Sequence, residues 1–345
     1  MPPVNFRSDN ESPAAPEILK ALERVNAGSE HAYGEDAITE RLKVCFCEVF
    51  EKEVDVFPVA TGTAANSLSI AQLTPPYGSA LCYERSHVYN DECGAPEFFS
   101  GGKLITVEGV DGKITVETLQ ARLSELGGHG EHESKPSALS ITQATERGTV
   151  YRLDEIAELA DIAHDAGLGV HMDGARFGNA VESLCCSPAE VSWRAGIDIL
   201  SFGATKNGVM AAEAVVVFNP NYGTELWRRR KRSGHLFSKM RYLSAQLEAY
   251  LKDDLWLRLA GQSNSAAQEL ANELSTIPRL TLEFPVQANE LFVGMPRGVA
   301  DGLRAAGFEF HATPGFADVY RLVMSHNTRI EDIRRFTLVC RQLAG

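Results

Sequence analysis

Ile197-Asp198-Ile199-Leu200-Ser201-Phe202-Gly203-Ala204-Thr205-Lys206-Asn207-Gly208 is an apolar run that empties into a loop of small residues carrying one lysine. Upstream, Leu168-Gly169-Val170-His171-Met172 is a second apolar run, and it closes on Asp173-Gly174-Ala175-Arg176. Short apolar runs bounded by turn residues read as strands covered on both faces, the habit of a parallel sheet. Outward from these two, the same punctuation marks strands at 54–59, 80–83, 104–107, 138–142 and 214–218, beside 169–173 and 197–202. Helical patterns lie between them. In 153–166, Leu153, Ile156, Ala157, Ala160 and Ala163 recur at helical spacing, with Asp154 or Asp161 expected to face water. The expected fold class is therefore α/β, a mostly parallel sheet with helices on both faces.

Toward the C-terminus the pattern changes. A long helix is expected from about residue 234, where Leu236, Met240, Leu243, Leu247 and Leu251 form one stripe, read as domain core or subunit interface rather than a ligand box. Beyond it, 280–284, 290–295, 299–306 and 319–324 read as strand, strand, helix and strand, closed by a helix at 330–343. The expected organisation is an N-terminal segment 1–30, a large domain 31–260 and a small α+β domain 261–345, which the N-terminal segment joins. The Gly- and His-rich stretch 127–136 reads as an exposed loop.

With 345 residues, 44% hydrophobic and 23% charged, the chain has the composition of a globular protein. A net charge of -13 argues against nucleic acid or an anionic membrane surface as the main partner. An odd count of seven cysteines points to reduced thiols rather than a disulfide framework. Cys45, Cys47, Cys185 and Cys186 lack zinc-site spacing and are expected as small core residues. The N-terminus shows no apolar signal segment and no stretch approaches a membrane span, so the expected location is cytoplasmic.

Residues at the carboxyl ends of parallel strands meet along one edge of the sheet, where ligands of such folds bind. Lys206 and Asp173 fall there, and together they are what pyridoxal 5'-phosphate requires. The lysine provides a Schiff-base amine, and the carboxylate keeps the pyridine nitrogen protonated so that the ring can accept electrons. Ala60-Thr61-Gly62-Thr63-Ala64-Ala65-Asn66-Ser67 follows another strand and opens a helix, a phosphate cradle of backbone N–H groups; alone it would be an ordinary helix cap. It lacks the G-x-G-x-x-G spacing of a dinucleotide site. His87, on the loop after the strand at 80–83, is placed to stack on the ring. Arg176 can reach the phenolic oxygen. Arg321, with two apolar neighbours on each side, offers the fork that matches a carboxylate. Each has a plainer reading, as cap, surface charge or loop residue; their coincidence at strand ends favours a site. The run Arg228-Arg229-Arg230-Lys231-Arg232 reads by default as a solvated face.

These motifs carry a resemblance. Arg7-Ser8-Asp9-Asn10, Ala32-Tyr33-Gly34-Glu35-Asp36, Thr61-Gly62-Thr63-Ala64-Ala65-Asn66, His171-Met172-Asp173-Gly174-Ala175-Arg176, the Lys206 segment and Tyr320-Arg321-Leu322-Val323 make the chain similar, nearly end to end, to the low-specificity L-threonine aldolase and phenylserine aldolase group of the fold type I pyridoxal phosphate enzymes. The resemblance implies that Lys206 binds the cofactor, Asp173 pairs with its ring nitrogen and Arg176 with its phenolic oxygen, Gly62 and Thr63 hold its phosphate, and His87 stacks on its ring. It implies Arg321, assisted by Ser8, on the substrate carboxylate, and Tyr33 lining the pocket near a subunit boundary. One arginine of 228–232, with Arg230 preferred, is implied to reach the phosphate of a neighbouring subunit in a homotetramer whose sites lie at dimer interfaces. A second active-site histidine precedes the strand at 138–142; this chain offers His129 and His132 there, and His132, nearer the strand, is preferred. The expected activity is retro-aldol cleavage of a β-hydroxy-α-amino acid to glycine and an aldehyde, with β-elimination or serine hydroxymethyl cleavage on the same fold as the alternative. No metal is expected, since two histidines without further ligands are a weak signal.

Overall fold

The computed structural model describes residues 3–345; Met1 and Pro2 of the expected N-terminal segment lie outside the described residues. All seven expected strands form one sheet, β1 (Asp55–Val59), β2 (Gly78–Tyr83), β3 (Lys103–Val107), β4 (Lys135–Thr142), β5 (Gly169–Gly174), β6 (Ile199–Phe202) and β7 (Glu213–Val217), in the order β1-β7-β6-β5-β4-β2-β3. Strands β2 to β6 pair in parallel, whereas β7 is antiparallel to both of its neighbours. A parallel crossover takes about a dozen residues or more. Only residues 203–212 join β6 to β7, and the Lys206 loop occupies them, so the chain must return antiparallel. The reversal puts the first residue of β7, Glu213, on the edge where β4, β5 and β6 end.

Every residue of β2 and β5 is buried, as covered strands require. Behind β6 an aromatic wedge fills the space between sheet and helices: Phe202 packs edge-on against Phe46 at 5.1 Å, and Phe177 stacks on Trp256 at 6.1 Å. Burying each such ring contributes on the order of 2–3 kcal/mol.

A second core gathers Val4, Phe6, Leu270, Leu291, Phe308, Leu322 and Phe336. Its antiparallel sheet runs Thr281–Leu282, Glu290–Gly294, Val319–Val323, His311–Ala312. Val4–Asn5 adds in parallel to Phe308–Glu309. One helix, Leu255–Leu274, serves both cores, placing Leu255, Trp256 and Leu259 in the first and Ala267, Leu270 and Leu274 in the second.

Three expectations need correction. The helix expected from about 234 begins at Arg241 and ends at Leu251. Gly234, at φ 81, and the turns that follow it occupy the start of the stripe, although Met240, Leu243, Leu247 and Leu251 are core. The strand at 280–284 shrinks to Thr281–Leu282. Cys185 is not a core residue: it caps the helix Phe177–Leu184 in the left-handed region and is exposed.

Candidate active site

The carboxyl edge of the sheet opens into a cleft of about 900 Å³, lined among others by Ser8, Gly62, Thr63, His87, Asp173, Arg176, Lys206 and Arg321. Lys206 is the only lysine among the described residues that line it. It sits on a single turn, Thr205–Asn207, held from both sides. On one side the Ala204 N–H donates to Glu213 Oε2 at 2.6 Å; on the other, Asn207 Nδ2 donates to Tyr250 Oη at 2.7 Å and to the Trp256 carbonyl at 2.8 Å. Gly203 is required here, since a Cβ would lie 2.5 Å from the Gly174 and Ala175 carbonyls. Gly208 leaves the turn at φ 89, a left-handed conformation that glycine adopts without strain.

Asp173 ends β5 buried, with its carboxylate oriented by two donors, Asn66 Nδ2 to Oδ2 at 2.9 Å and the Ala175 N–H to Oδ1 at 3.0 Å. Asn66 comes from the helix Gly62–Leu73, whose first turn is aimed at the same cleft. Thr61 caps that helix, its hydroxyl accepting the Ala64 N–H at 3.1 Å. First-turn N–H groups have no intrahelical acceptors, so those of Gly62 and Thr63 are available to an anion, and the helix dipole favours one. Nothing in the protein demands a glycine at 62: a Cβ there would meet no atom within 4 Å. A lysine amine, an oriented buried carboxylate and an open helix N-terminus in one cleft fit pyridoxal phosphate in amine, ring nitrogen and phosphate.

Arg176, nearly buried, lies between two carboxylates. Its Nε donates to Asp9 Oδ2 at 2.8 Å and its Nη2 to Asp9 Oδ1 at 3.1 Å, while Nη1 is 3.0 Å from Glu290 Oε2. Burial alone would raise the Asp9 carboxyl, but Arg176 and Lys206 outweigh it and hold it below the ordinary carboxylate value. Asp9 also accepts from Asn289 Nδ2 at 3.0 Å. Arg321, half-buried on the strand Val319–Val323, donates from Nη2 to the Arg7 carbonyl at 3.2 Å and lies 3.7 Å from Glu290 Oε1.

Three expected site residues do not line the cleft of their own chain. His132 ends an exposed turn, Gly130–His132; Glu133 accepts the Gly127 and His129 N–H groups, folding the loop onto itself rather than toward the cleft. Tyr33 is exposed at φ 61, with the Lys231 ammonium 4.6 Å above its ring. Arg230 lies against Phe57 and donates to the Pro58 carbonyl at 3.3 Å; burial pulls its guanidinium down to about 10.

The cleft also contains groups the sequence reading passed over. Glu92, fully buried, binds His87 through its side chain. Glu146 accepts the His87 backbone N–H and the Thr142 hydroxyl, both at 2.8 Å, and burial pushes it up to about 7. Glu213 is likewise pushed up to about 7 by burial, against hydrogen bonds from Thr205 and Ala204. A signal existed for Asn66, inside the quoted cradle, and for Asp9, inside Arg7-Ser8-Asp9-Asn10; for Glu92 and Glu146 there was none.

The Glu213 shift has a testable sign. An acid whose pKa is raised in the fold contributes stability that is full below its unfolded value, near 4.5, and is lost as pH rises toward 7. In the cofactor-free protein, Glu213→Gln is expected to gain on the parent by up to about 3 kcal/mol between pH 4.5 and 7, with no further gain above. Urea unfolding at several pH values checks it; a pH-independent difference would contradict the shift.

Fold and cleft together define a fold type I pyridoxal phosphate enzyme. The chain belongs to the beta-eliminating lyase family, whose model matches residues 5–296. It is 43% identical to the low specificity L-threonine aldolase of Pseudomonas aeruginosa over 99% of this chain and 98% of that one. It is 45% identical to the low specificity L-threonine aldolase of Pseudomonas sp. strain NCIMB 10558, over 90% and 89%. Among solved structures, the threonine aldolase of Leishmania major superposes with a TM-score of 0.94 at 27% identity, covering 99% of this chain and 100% of that one.

Proposed function

We propose that this protein is a pyridoxal phosphate-dependent aldehyde lyase, cleaving L-threonine, L-allo-threonine or L-phenylserine-type β-hydroxy-α-amino acids between Cα and Cβ to glycine and an aldehyde. One observation carries the reading: Lys206, Asp173 and Arg321 line a single cleft. When bound, the cofactor supplies an electron sink for bonds at the substrate Cα. Lys206 would provide the amine that holds it. Asp173, oriented by Asn66 and Ala175, keeps the ring nitrogen protonated. Gly62 and Thr63 take the phosphate, and Arg176 uses its remaining N–H groups for the phenolic oxygen. His87 stacks on the ring.

Arg321 presents a two-point contact to the substrate α-carboxylate, with Ser8 beside it, which fixes rotation about the N–Cα bond. With the carboxylate held there, Arg321 would limit which bonds at Cα can be turned toward the electron sink, and in this reading the bond that breaks is Cα–Cβ. His87, lining the cleft, takes the proton of the β-hydroxyl as the bond breaks.

Tyr33 and Arg230 act in the site of a neighbouring copy, in a homotetramer with sites at dimer interfaces. Exposed Trp227 and Phe237 support a covered face in this region, since the Tyr33 N–H donates to the Ser238 carbonyl beside Phe237. No helix among the described residues is long and apolar enough to cross a membrane, and the proposed location is cytoplasmic.

The purified holoprotein incubated with L-threonine and with L-phenylserine is expected to release glycine with acetaldehyde or benzaldehyde. Release of pyruvate instead, from L-serine, would establish elimination and overturn the reading. Arg321→Lys keeps the charge but loses the fork; it is expected to raise KM roughly ten- to a hundredfold, the equivalent of about 1.5–3 kcal/mol, and to leave the visible spectrum of the bound cofactor unchanged. An unchanged KM would remove Arg321 from the carboxylate site.

A further inference from the structure

His87 is held at two points. Its backbone N–H is anchored by Glu146, and its ring Nδ1 lies 2.9 Å from Glu92 Oε1. Glu92 has no exposed side-chain surface, while the His87 ring is partly open to the cleft. The same Glu92 oxygen accepts Asn66 Nδ2 at 2.8 Å, and that amide nitrogen also donates to Asp173 Oδ2 at 2.9 Å. One amide group thus ties the carboxylate behind the imidazole to the carboxylate that faces the cofactor ring. Glu92 Oε2 is buried with no hydrogen-bond partner. A glutamine of the same shape could fill this place without burying a charge beside Asp173, so the carboxylate is a cost to the fold that packing does not explain.

Resting on the aldolase reading, we propose that Glu92 is a positioning residue: it holds His87 with the proton on Nδ1, leaving Nε2 as the base that receives the β-hydroxyl proton. A neutral imidazole carries one proton, and the hydrogen bond at one nitrogen decides which nitrogen is free. In the step, the O–H bond breaks and its proton goes to Nε2, the carbonyl of the aldehyde forms, and the Cα–Cβ bonding pair stays on Cα. The Nδ1 proton does not move. Glu92 stabilises the imidazolium formed, and the Nε2 proton is the one returned to Cα to give glycine, so nothing is left over.

Charged groups surround His87 on every side: Glu92 and Arg85 on its own loop, Asp173 from the end of β5, Glu146 from the segment after β4, and Lys206 from the loop after β6. The Glu92 hydrogen bond leads in raising the imidazole above its ordinary value, with burial and Lys206 opposing and Asp173 assisting.

Two variants test this. Glu92→Gln keeps an acceptor and removes the charge; the acidic limb of its kcat/KM profile is expected to move to lower pH. Glu92→Leu removes the acceptor as well; its kcat for L-phenylserine is expected to fall about 10²- to 10⁴-fold with little change in KM. A readout independent of turnover is ¹⁵N NMR of His87 in the cofactor-free protein, where the parent is expected to carry its neutral-state proton on Nδ1 and Glu92→Leu to lose that preference. Should Glu92→Leu fail to fold, the pH limb and the ¹⁵N titration of Glu92→Gln decide. An unmoved limb and an unmoved titration in Glu92→Gln, or a parental kcat in Glu92→Leu, would overturn the proposal. If the parent itself releases no aldehyde, the aldolase reading fails, and the ¹⁵N experiment still judges the Glu92–His87 pair alone.

Discussion

Lys206→Ala is expected to lower aldehyde release from L-threonine and L-phenylserine by on the order of 10⁴-fold or more, because no other amine can take its place at the same position. Lys206 is the only lysine among the described residues lining the cleft. Solution amines lack its orientation, since the turn that bears it is pinned by Glu213 on one side and by Tyr250 and Trp256 on the other. The second readout is covalent. Borohydride should fix the cofactor to the parent chain and add its mass to the peptide containing Lys206, whereas the variant should gain none. A variant with undiminished aldehyde release would remove Lys206 from the chemistry. Equal borohydride labelling of parent and variant would locate the attachment elsewhere.

Arg176→Met should give the largest loss of stability, about 3–5 kcal/mol, in the cofactor-free protein. The guanidinium is buried against Asp9 and Glu290, whose carboxylates are themselves almost inaccessible. Removing it leaves two buried carboxylates without their common cation. Burial pulls the guanidinium down, yet Asp9 and Glu290 more than restore it, so the site holds a charge that the fold cannot shed. Denaturant unfolding measures the effect. Adding Asp9→Asn to Arg176→Met should recover part of the loss, because it withdraws one of the stranded charges. A single-variant loss below about 1 kcal/mol, the scale of an exposed ion pair, would show that water reaches the pair.

The elements that the sequence makes legible share a physical cause. Strands covered on both faces must be apolar along their length, so β1 to β7 stand out as runs, and whatever follows such a run lies on the sheet edge. Lys206, Asp173, Gly62 and His87 were found that way, and the cleft collects all four. Arg321 stands out because a guanidinium flanked by apolar strand residues has no ordinary reason to be there. Glu92 and Glu146 could not be found so. Their meaning lies in what they touch across the fold, His87 in both cases, and a glutamate on a loop leaves no local trace of that. Glu213 failed for another reason: it opens a strand, and only the reversal of β7 turns an opening residue toward the cleft. His132 lies on the exposed turn that precedes β4, whereas the cleft of its own chain opens where β4 finishes.

The tie between Ser8-Asp9 and the small sheet also bears on the order of manufacture. Asp9 meets Asn289 across a separation of 280 residues, and Arg7 meets Arg321 across 314. A ribosome adds about 5–20 residues per second, so the two sides of these contacts are made tens of seconds apart. Until residue 289 has emerged Asp9 lacks its Asn289 partner, and until the strand Val319–Val323 has emerged the substrate clamp has no arginine. The large sheet can form while the chain is still being extended, but the site cannot close until nearly all of it is released. A nascent chain of this protein is therefore able to hold a cofactor-shaped cradle before it is able to hold a substrate.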